Sequence, residues 1–280
     1  MTIQNFVKKY PLSAVLYSLV MGAALLTFLT LIFLLAYIII QGIPNINLDI
    51  FAIEYTSENV SLFPALLNTI IMVVLALGIA VPLGVGAAIY LVEYAKRGNQ
   101  FVECMRITND TLAGIPSIVY GLFGMLFFVI YLHMGYSLLA GACTLAIMIL
   151  PVIIRTTEEA LKAVPDSYRE GSLGLGAGKL RTIFAVVLPA AIPGILAGII
   201  LGTGRIVGET AALIYTAGTV AALPTSVLSS GRTLAVHMYA LASEGLFIKQ
   251  AYATAVILVL IVIGINSISN FLANKLVDKA

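Results

Sequence analysis

The sequence predicts an all-α, polytopic membrane protein with six transmembrane helices. Two observations carry that expectation. The 280 residues are 61% hydrophobic and only 10% charged, with a mean hydropathy of +1.07; a soluble domain carries about 25% charged residues. The apolar residues also fall into six runs, at about 14–40, 66–92, 111–132, 137–154, 189–218 and 251–273, and a crossing helix needs roughly 20 apolar residues. In lipid every backbone polar group must be paired within the protein, so such runs read as helices. The Val/Ile-rich stretches lack the alternation of a membrane barrel, whose strands run about ten residues.

The first run, from about Leu12 to Ile40, exceeds the 7–15 apolar residues of a signal peptide and lacks a clear cleavage site, so it reads as a retained span. An acidic loop with Asp49, Glu54 and Glu58 follows, and residues 1–60 form a first unit. In the second run Pro82 predicts a kink, while Asn68 and Thr69 suit hydrogen bonds between helices. Gly114-Ile115-Pro116-Ser117 opens the third run, since proline at a helix start costs little. The fourth run is short and the fifth long. The loop 219–250 is long enough to contain further helices. Residues 61–274, holding the other five runs, form the core and 275–280 a tail.

Lys and Arg set the orientation. With both termini cytoplasmic, the inner segments hold Lys8, Lys9, Lys96, Arg97, Arg106, Arg155, Lys162, Arg169, Lys179, Arg181, Lys275 and Lys279; the outer segments hold only Arg232 and Lys249. Twelve cations against two decide the topology.

The most informative stretch interrupts the apolar pattern. RTTEEALKAVPDSYREGSLGLGAGKLRTIFAVVLPAAIPG, starting at Arg155, places nine charged residues between Arg155 and Arg181. Ser167-Tyr168-Arg169-Glu170 fits a capping box, in which the two side chains satisfy free N–H groups reciprocally. Gly171, Gly174, Gly176 and Gly178 then end or bend the element, because glycine tolerates left-handed backbone. The plain reading is a solvated connector, and order in this loop argues for a cytoplasmic partner. Gly174–Leu180 imitates a phosphate-cradling loop. A nucleotide P-loop, however, needs Gly five residues before the Gly-Lys pair and Ser or Thr after it. Those positions are Leu173 and Leu180, so the chain is not expected to hydrolyse ATP.

The fifth run contains Arg205 and Glu209 among small and apolar residues. A charge at bilayer centre costs at least about 2.5–3.5 kcal/mol, so both should face protein or a water-filled path. In one continuous helix they lie about 40° apart, and Gly194, Gly198 and Gly202 fall within about 60° of Arg205, which lets another helix approach closely. Arg205 sits roughly 24 Å from Pro189 along the helix. One reading is an ion pair that fixes packing. The other is a guanidinium that meets an anion, since its planar fork bonds oxyanions in pairs. Arg and ionised Glu sum to zero, so a dianion path needs further positive charge. Cys104 and Cys143 form no disulfide framework, and no triad, metal-ligand cluster or nucleic-acid surface is present. His133 and His237 read as ordinary external residues.

Glu170-Gly171-Ser172, Gly176, Val186 and Leu188-Pro189 resemble the cytoplasmic signature of ABC importer permeases: E-A-A, three residues, G, nine residues, I, one residue, L-P. Gly171 and Ser172 replace the alanines and Val186 the isoleucine. The resemblance implies a type I ABC importer permease fold, with 155–188 as a coupling loop docking into a separate ATPase. Glu159, Arg169, Glu170, Gly171, Ser172, Gly176, Leu188 and Pro189 are the expected coupling residues. Asn68-Thr69, Ile89–Glu93-Tyr94, Gly114–Gly121, Arg205–Ala211 and Ala251–Val256 further resemble phosphate-specific permeases of the PstA type, over roughly 60–274. Ala212 departs from the proline of many relatives. The resemblance implies that Arg205, Glu209 and Thr210 line the substrate pathway.

It further implies the membrane half of an ATP-driven phosphate importer working by alternating access. Expected partners are a second, related permease, two cytoplasmic ATPases, an external phosphate-binding protein and membrane lipid, with no nucleic acid. ATP would be bound by the partner subunits and no cofactor by this chain. Its place would be the cell membrane of a prokaryote. The alternatives are another oxyanion, such as molybdate, sulfate or phosphonate, or an ion-coupled secondary transporter.

Overall fold

The computed structural model describes residues 11–96 and 98–277. Lys8, Lys9, Arg97, Lys279 and most of the 275–280 tail, invoked above for topology, lie partly or wholly outside the described residues. Among the described residues the regular structure is helical. α1 spans Pro11–Gly42 and α2 spans Phe63–Ile89, continuing through a π turn, Tyr90–Tyr94. α3 is Gln100–Ala113, and α4 is Ser117–Gly124 with a π segment, Met125–Tyr131. α5 is Leu138–Ala163, α6 Asp166–Gly174 and α7 Lys179–Thr182; Ile183–Val187 then carries the chain into α8, Leu188–Val207. α9 is Ala211–Ile214, α10 Leu234–Glu244 and α11 Ile248–Val277.

Five of these helices are long and apolar enough to cross a membrane, and the α3–α4 pair, bent by 102°, supplies a sixth if it counts as one span. The bend corrects the third expected run. Pro116 is the cap residue of α4, and residues before proline avoid the α region. The fifth run also differs: it is not one helix over 189–218, because α8 stops at Val207 and Gly208 caps it. The fourth run extends past residue 154 to Ala163. The loop 219–250 does contain a helix, α10.

α5 is the central helix. Its start is fixed by Ser137, whose hydroxyl oxygen accepts the Ala140 N–H at 3.2 Å, a standard cap. Met72 of α2, Leu145, Met148 and Ile149 of α5 and Leu213 of α9 form the main core, each fully buried. Glycines permit the closest approaches. A methyl group on Gly84 of α2 would meet Ile153 of α5 at 2.6 Å. The glycine stripe of α8 also faces α5, with Gly194 against Ala160, Gly198 against Thr156 and Gly202 against Ile153. By contrast α1 lies outside this core, touching α11 through Tyr37 and Tyr252 and through Gly42.

The bundle has two unlike ends. One, here the charged end, gathers the ends of α2 and α5 with α3 and α6. At the other, residues 43–62 fold over α10 and α11 through Ile50, Leu62, Leu234 and Ala253. The expected hydrogen bonds of Asn68 and Thr69 lie here. Asn68 Nδ2 donates to the Arg232 carbonyl at 3.2 Å and Thr69 Oγ1 accepts the Leu234 N–H at 2.9 Å.

Candidate coupling surface and pathway residues

Residues 155–188 are helical for most of their length. The stretch from Arg155 to Ala163 is the last part of α5, and α6 projects from it as a separate short helix. The capping box is not formed. α6 starts at Asp166 after Pro165, no side chain caps it, and Asp166 instead accepts from Arg169 Nη1 at 3.3 Å. The far end of α6 does close as expected. The Ala177 N–H donates to the Ser172 carbonyl at 3.1 Å and the Gly176 N–H to the Leu173 carbonyl at 2.9 Å. This is the two-bond C-terminal motif that calls for left-handed backbone at its glycine, and Gly176 has φ +84°.

α6 and the turn after it present an apolar outer surface. Tyr168, Leu173 and Leu180 are exposed and Leu175 is 91% exposed, with Glu170, Gly171 and Gly176 also on the surface. Ser172 is half-buried, its hydroxyl 2.9 Å from that of Thr182. Leu188 and Pro189 are half-buried at the start of α8, where Leu188 packs with Leu161 and Val164. They brace the surface from behind. Glu159 is spent locally, pairing with Arg155 at 3.1 Å.

Arg169 points inward. Its Nε and Nη2 donate to Glu93 Oε1 at 3.1 and 2.8 Å, and its guanidinium also reaches the Leu161 and Val164 carbonyls. Beside it, Glu158 Oε1 lies 2.6 Å from both Arg106 Nη2 and Lys162 Nζ. The pairing of Glu93 with Arg169 and of Glu158 with Arg106 was not expected from the sequence, where Arg106 counted only towards topology and Glu93 only towards the resemblance.

At the expected pathway, the break at Gly208 separates the two charges. Among the described residues no carboxylate lies within 4.0 Å of Arg205, so the structure contains no Arg205–Glu209 ion pair. Arg205 is half-exposed, and the Tyr120 hydroxyl donates to the Leu112 carbonyl at 2.8 Å. Glu209 is buried. Its Oε1 accepts the Ala212 N–H at 3.1 Å, holding the start of α9. Proline at 212 would have no N–H to give, so this departure from the resemblance has a structural consequence. Thr210 lines an apolar groove of about 710 Å³ with Ile118, Tyr215, Met238, Tyr239 and Tyr252.

The opposite end holds a cluster that sequence reading missed. His237, expected at the surface, is fully buried. Burial first, then the charge of Arg232, push its pKa from 6.5 down to about 3. Arg232 is itself buried, its guanidinium carbon 4.7 Å from the centre of the Tyr55 ring. Among the described residues its Nε and Nη2 have no hydrogen-bond partner.

Residues 80–280 match the family described as binding-protein-dependent transport system inner membrane component. The chain belongs to that family. It is therefore a multi-pass membrane permease, a component of ABC-type importers rather than an enzyme. Across most of its length this permease is similar to the probable ABC transporter permease protein YqgI of Bacillus subtilis strain 168, at 32% identity over 268 residues, covering 89% of this chain and 90% of that one. It is 40% identical over 189 residues to the phosphate transport system permease protein PstA of Yersinia pestis, covering 66% of this chain and 63% of that one. With PstA 1 of Mycobacterium tuberculosis H37Rv it shares 42% over 156 residues, 56% of this chain and 50% of that one. The permease thus aligns with less than two thirds of either PstA protein.

The fold is that of type I importer permeases. A chain from the crystal structure of a bacterial ABC transporter involved in import of the acidic polysaccharide alginate superposes with TM-score 0.69 at 15% identity, covering 97% of this permease and 99% of that chain. A chain of the inward-facing MetNI methionine ABC transporter gives 0.59 at 19% identity, covering 77% and 94%.

Proposed function

We propose that this permease is one transmembrane subunit of an ATP-driven inorganic phosphate importer. Arg205 carries the reading: a guanidinium with no carboxylate within 4.0 Å among the described residues, in a stretch, Arg205–Ala211, that resembles phosphate-specific permeases. PstA relatives at about 40% identity support phosphate over molybdate, sulfate or phosphonate. The charged end faces the cytoplasm, both termini lie there, and α6 with the turn after it docks the exposed Leu173 and Leu175 in a groove of an ATPase. Two ATPases, a second related permease and an external phosphate-binding protein complete the machine. ATP is bound by the ATPases and this chain holds no cofactor.

Alternating access follows from that assembly. Closure of the ATPase pair moves α6, and the pathway opens outward to receive phosphate. The anion passes Arg205, where two parallel N–H···O bonds match its oxygens, with Glu209 holding the neighbouring turn and Thr210 facing the groove. Reset of the ATPases turns the path inward. The test is phosphate uptake by proteoliposomes holding the assembled importer. Arg205→Ala should lose most uptake and Arg205→Lys should retain a fraction, because lysine keeps charge but not the fork. Wild-type uptake in both would overturn the pathway assignment.

A further inference from the structure

The coupling helix is attached to more of the membrane domain than its own chain neighbours. Covalently, α6 continues from α5 through Val164 and Pro165. A two-residue joint alone would let α6 swing with little effect on other spans. Arg169 closes that freedom in three directions. It donates to the Leu161 and Val164 carbonyls at 2.8 and 2.7 Å, to Asp166 at 3.3 Å, and twice to Glu93, 76 residues away in sequence. The side chains of Arg169 and Glu93 are only 17% and 8% exposed, so water screens the pair little. Both donors converge on one carboxylate oxygen, Glu93 Oε1, and such charge-assisted bonds are stronger than neutral ones.

Glu93 sits at the end of α2, in its terminal π turn. Proline occurs inside both α2 and α5, at Pro82 and Pro151. Each removes one helical hydrogen bond and provides a site of bending. Just beyond both prolines the helices touch where Gly84 meets Ile153. The segments 83–94 and 152–163 lie beyond those prolines, pack together along their length with Ala88 and Val92 against Leu161 and Val164, and are bonded at the charged end through Arg169. The Glu158–Arg106 pair at 2.6 Å adds α3 to the same block.

From this geometry we infer that the Glu93–Arg169 pair is a positioning device that makes α6 and the charged-end segments of α2 and α5 move as one lever, bending at Pro82 and Pro151. The pair touches neither substrate nor ATP. Its task is to deliver the displacement of α6 to α2 by a direct bond, beside the apolar packing of Val92 with Val164 and the contact of Lys179 with the Tyr94 ring. The inference rests on the importer reading above.

The test uses the assembled importer in proteoliposomes, with phosphate uptake and ATP hydrolysis measured in the same sample. A wild-type complex with no phosphate-driven hydrolysis would sink the importer reading itself. Given a working wild type, Glu93→Gln should still co-purify with the ATPase and hydrolyse ATP, while phosphate taken up per ATP falls about 5-fold or more, the scale of a typical coupling energy. Glu93→Asp should recover most of the ratio. An unchanged ratio in Glu93→Gln would overturn the lever, as would loss of ATPase binding, because the pair would then merely shape the docking helix. If the Glu93→Gln permease does not fold, Arg169→Lys is read by the same ratio. That variant keeps the charge and loses the fork, and wild-type coupling in it overturns the lever equally.

Discussion

At the charged end, Glu93 and Glu158 are buried and each meets cations within 2.8 Å. At the opposite end Arg232 is buried too, yet among the described residues its Nε and Nη2 have no hydrogen-bond partner and an aromatic ring is its neighbour. The difference is instructive because the two arrangements respond oppositely to loss of a side chain. Removing one member of a buried pair strands the other charge. Removing an unpaired buried cation relieves a desolvation cost. Charge at the first end therefore bonds separate helices to one another. Charge at the second is tolerated in a packed junction of residues 43–62 with α10.

The comparison can be broken at either end. The largest expected effect is at Arg169. Arg169→Ala leaves Glu93 buried without its partner and should lower stability by about 3–5 kcal/mol, read as a drop in the unfolding midpoint of the purified permease in detergent. Arg232→Met should act in the other direction, neutral or stabilising by up to about 4 kcal/mol in the same measurement. Clear destabilisation by Arg232→Met would erase the contrast.

A smaller effect comes from His237. Its folded pKa of about 3 lies below the ordinary 6.5, so the unfolded chain binds more protons between those values. Its neutral form contributes stability above pH 6.5, and that contribution is lost as the pH falls towards 3. Between pH 7 and pH 5 unfolding should become easier by about 2 kcal/mol. His237→Phe should flatten that slope, and an equal slope in the variant would show that the ring titrates freely.

Much of the fold was legible because apolar runs leave a chain in lipid little choice but helix. The expected run 66–92 corresponds to Phe63–Tyr94 and 251–273 to a helix from Ile248. The fifth run misled for a local reason. Residues 189–218 are apolar throughout apart from the charged pair, and hydropathy does not register the break at Gly208. The helical-wheel argument that put Arg205 and Glu209 on one face failed with it, whereas the glycine stripe, which lies wholly within α8, does face a helix. Arg169 shows a second limit. Its partner Glu93 is 76 positions away, so no local pattern could tell that it faces inward while Glu170 stays on the surface. His237 shows a third, since burial in a loop helix depends on what folds over it, here Tyr55 and Val60.

The central claim is that α6 is the surface through which ATP drives phosphate across this permease. It is tested most directly by purifying the permease with its ATPase, reconstituting both with the phosphate-binding protein in liposomes, and measuring ATP hydrolysis with and without phosphate. The account predicts co-purification that a charged substitution at Leu175 abolishes, and hydrolysis that rises when phosphate-loaded binding protein is supplied. An ATPase that binds equally well to the Leu175→Glu permease, or hydrolysis indifferent to phosphate, would contradict it.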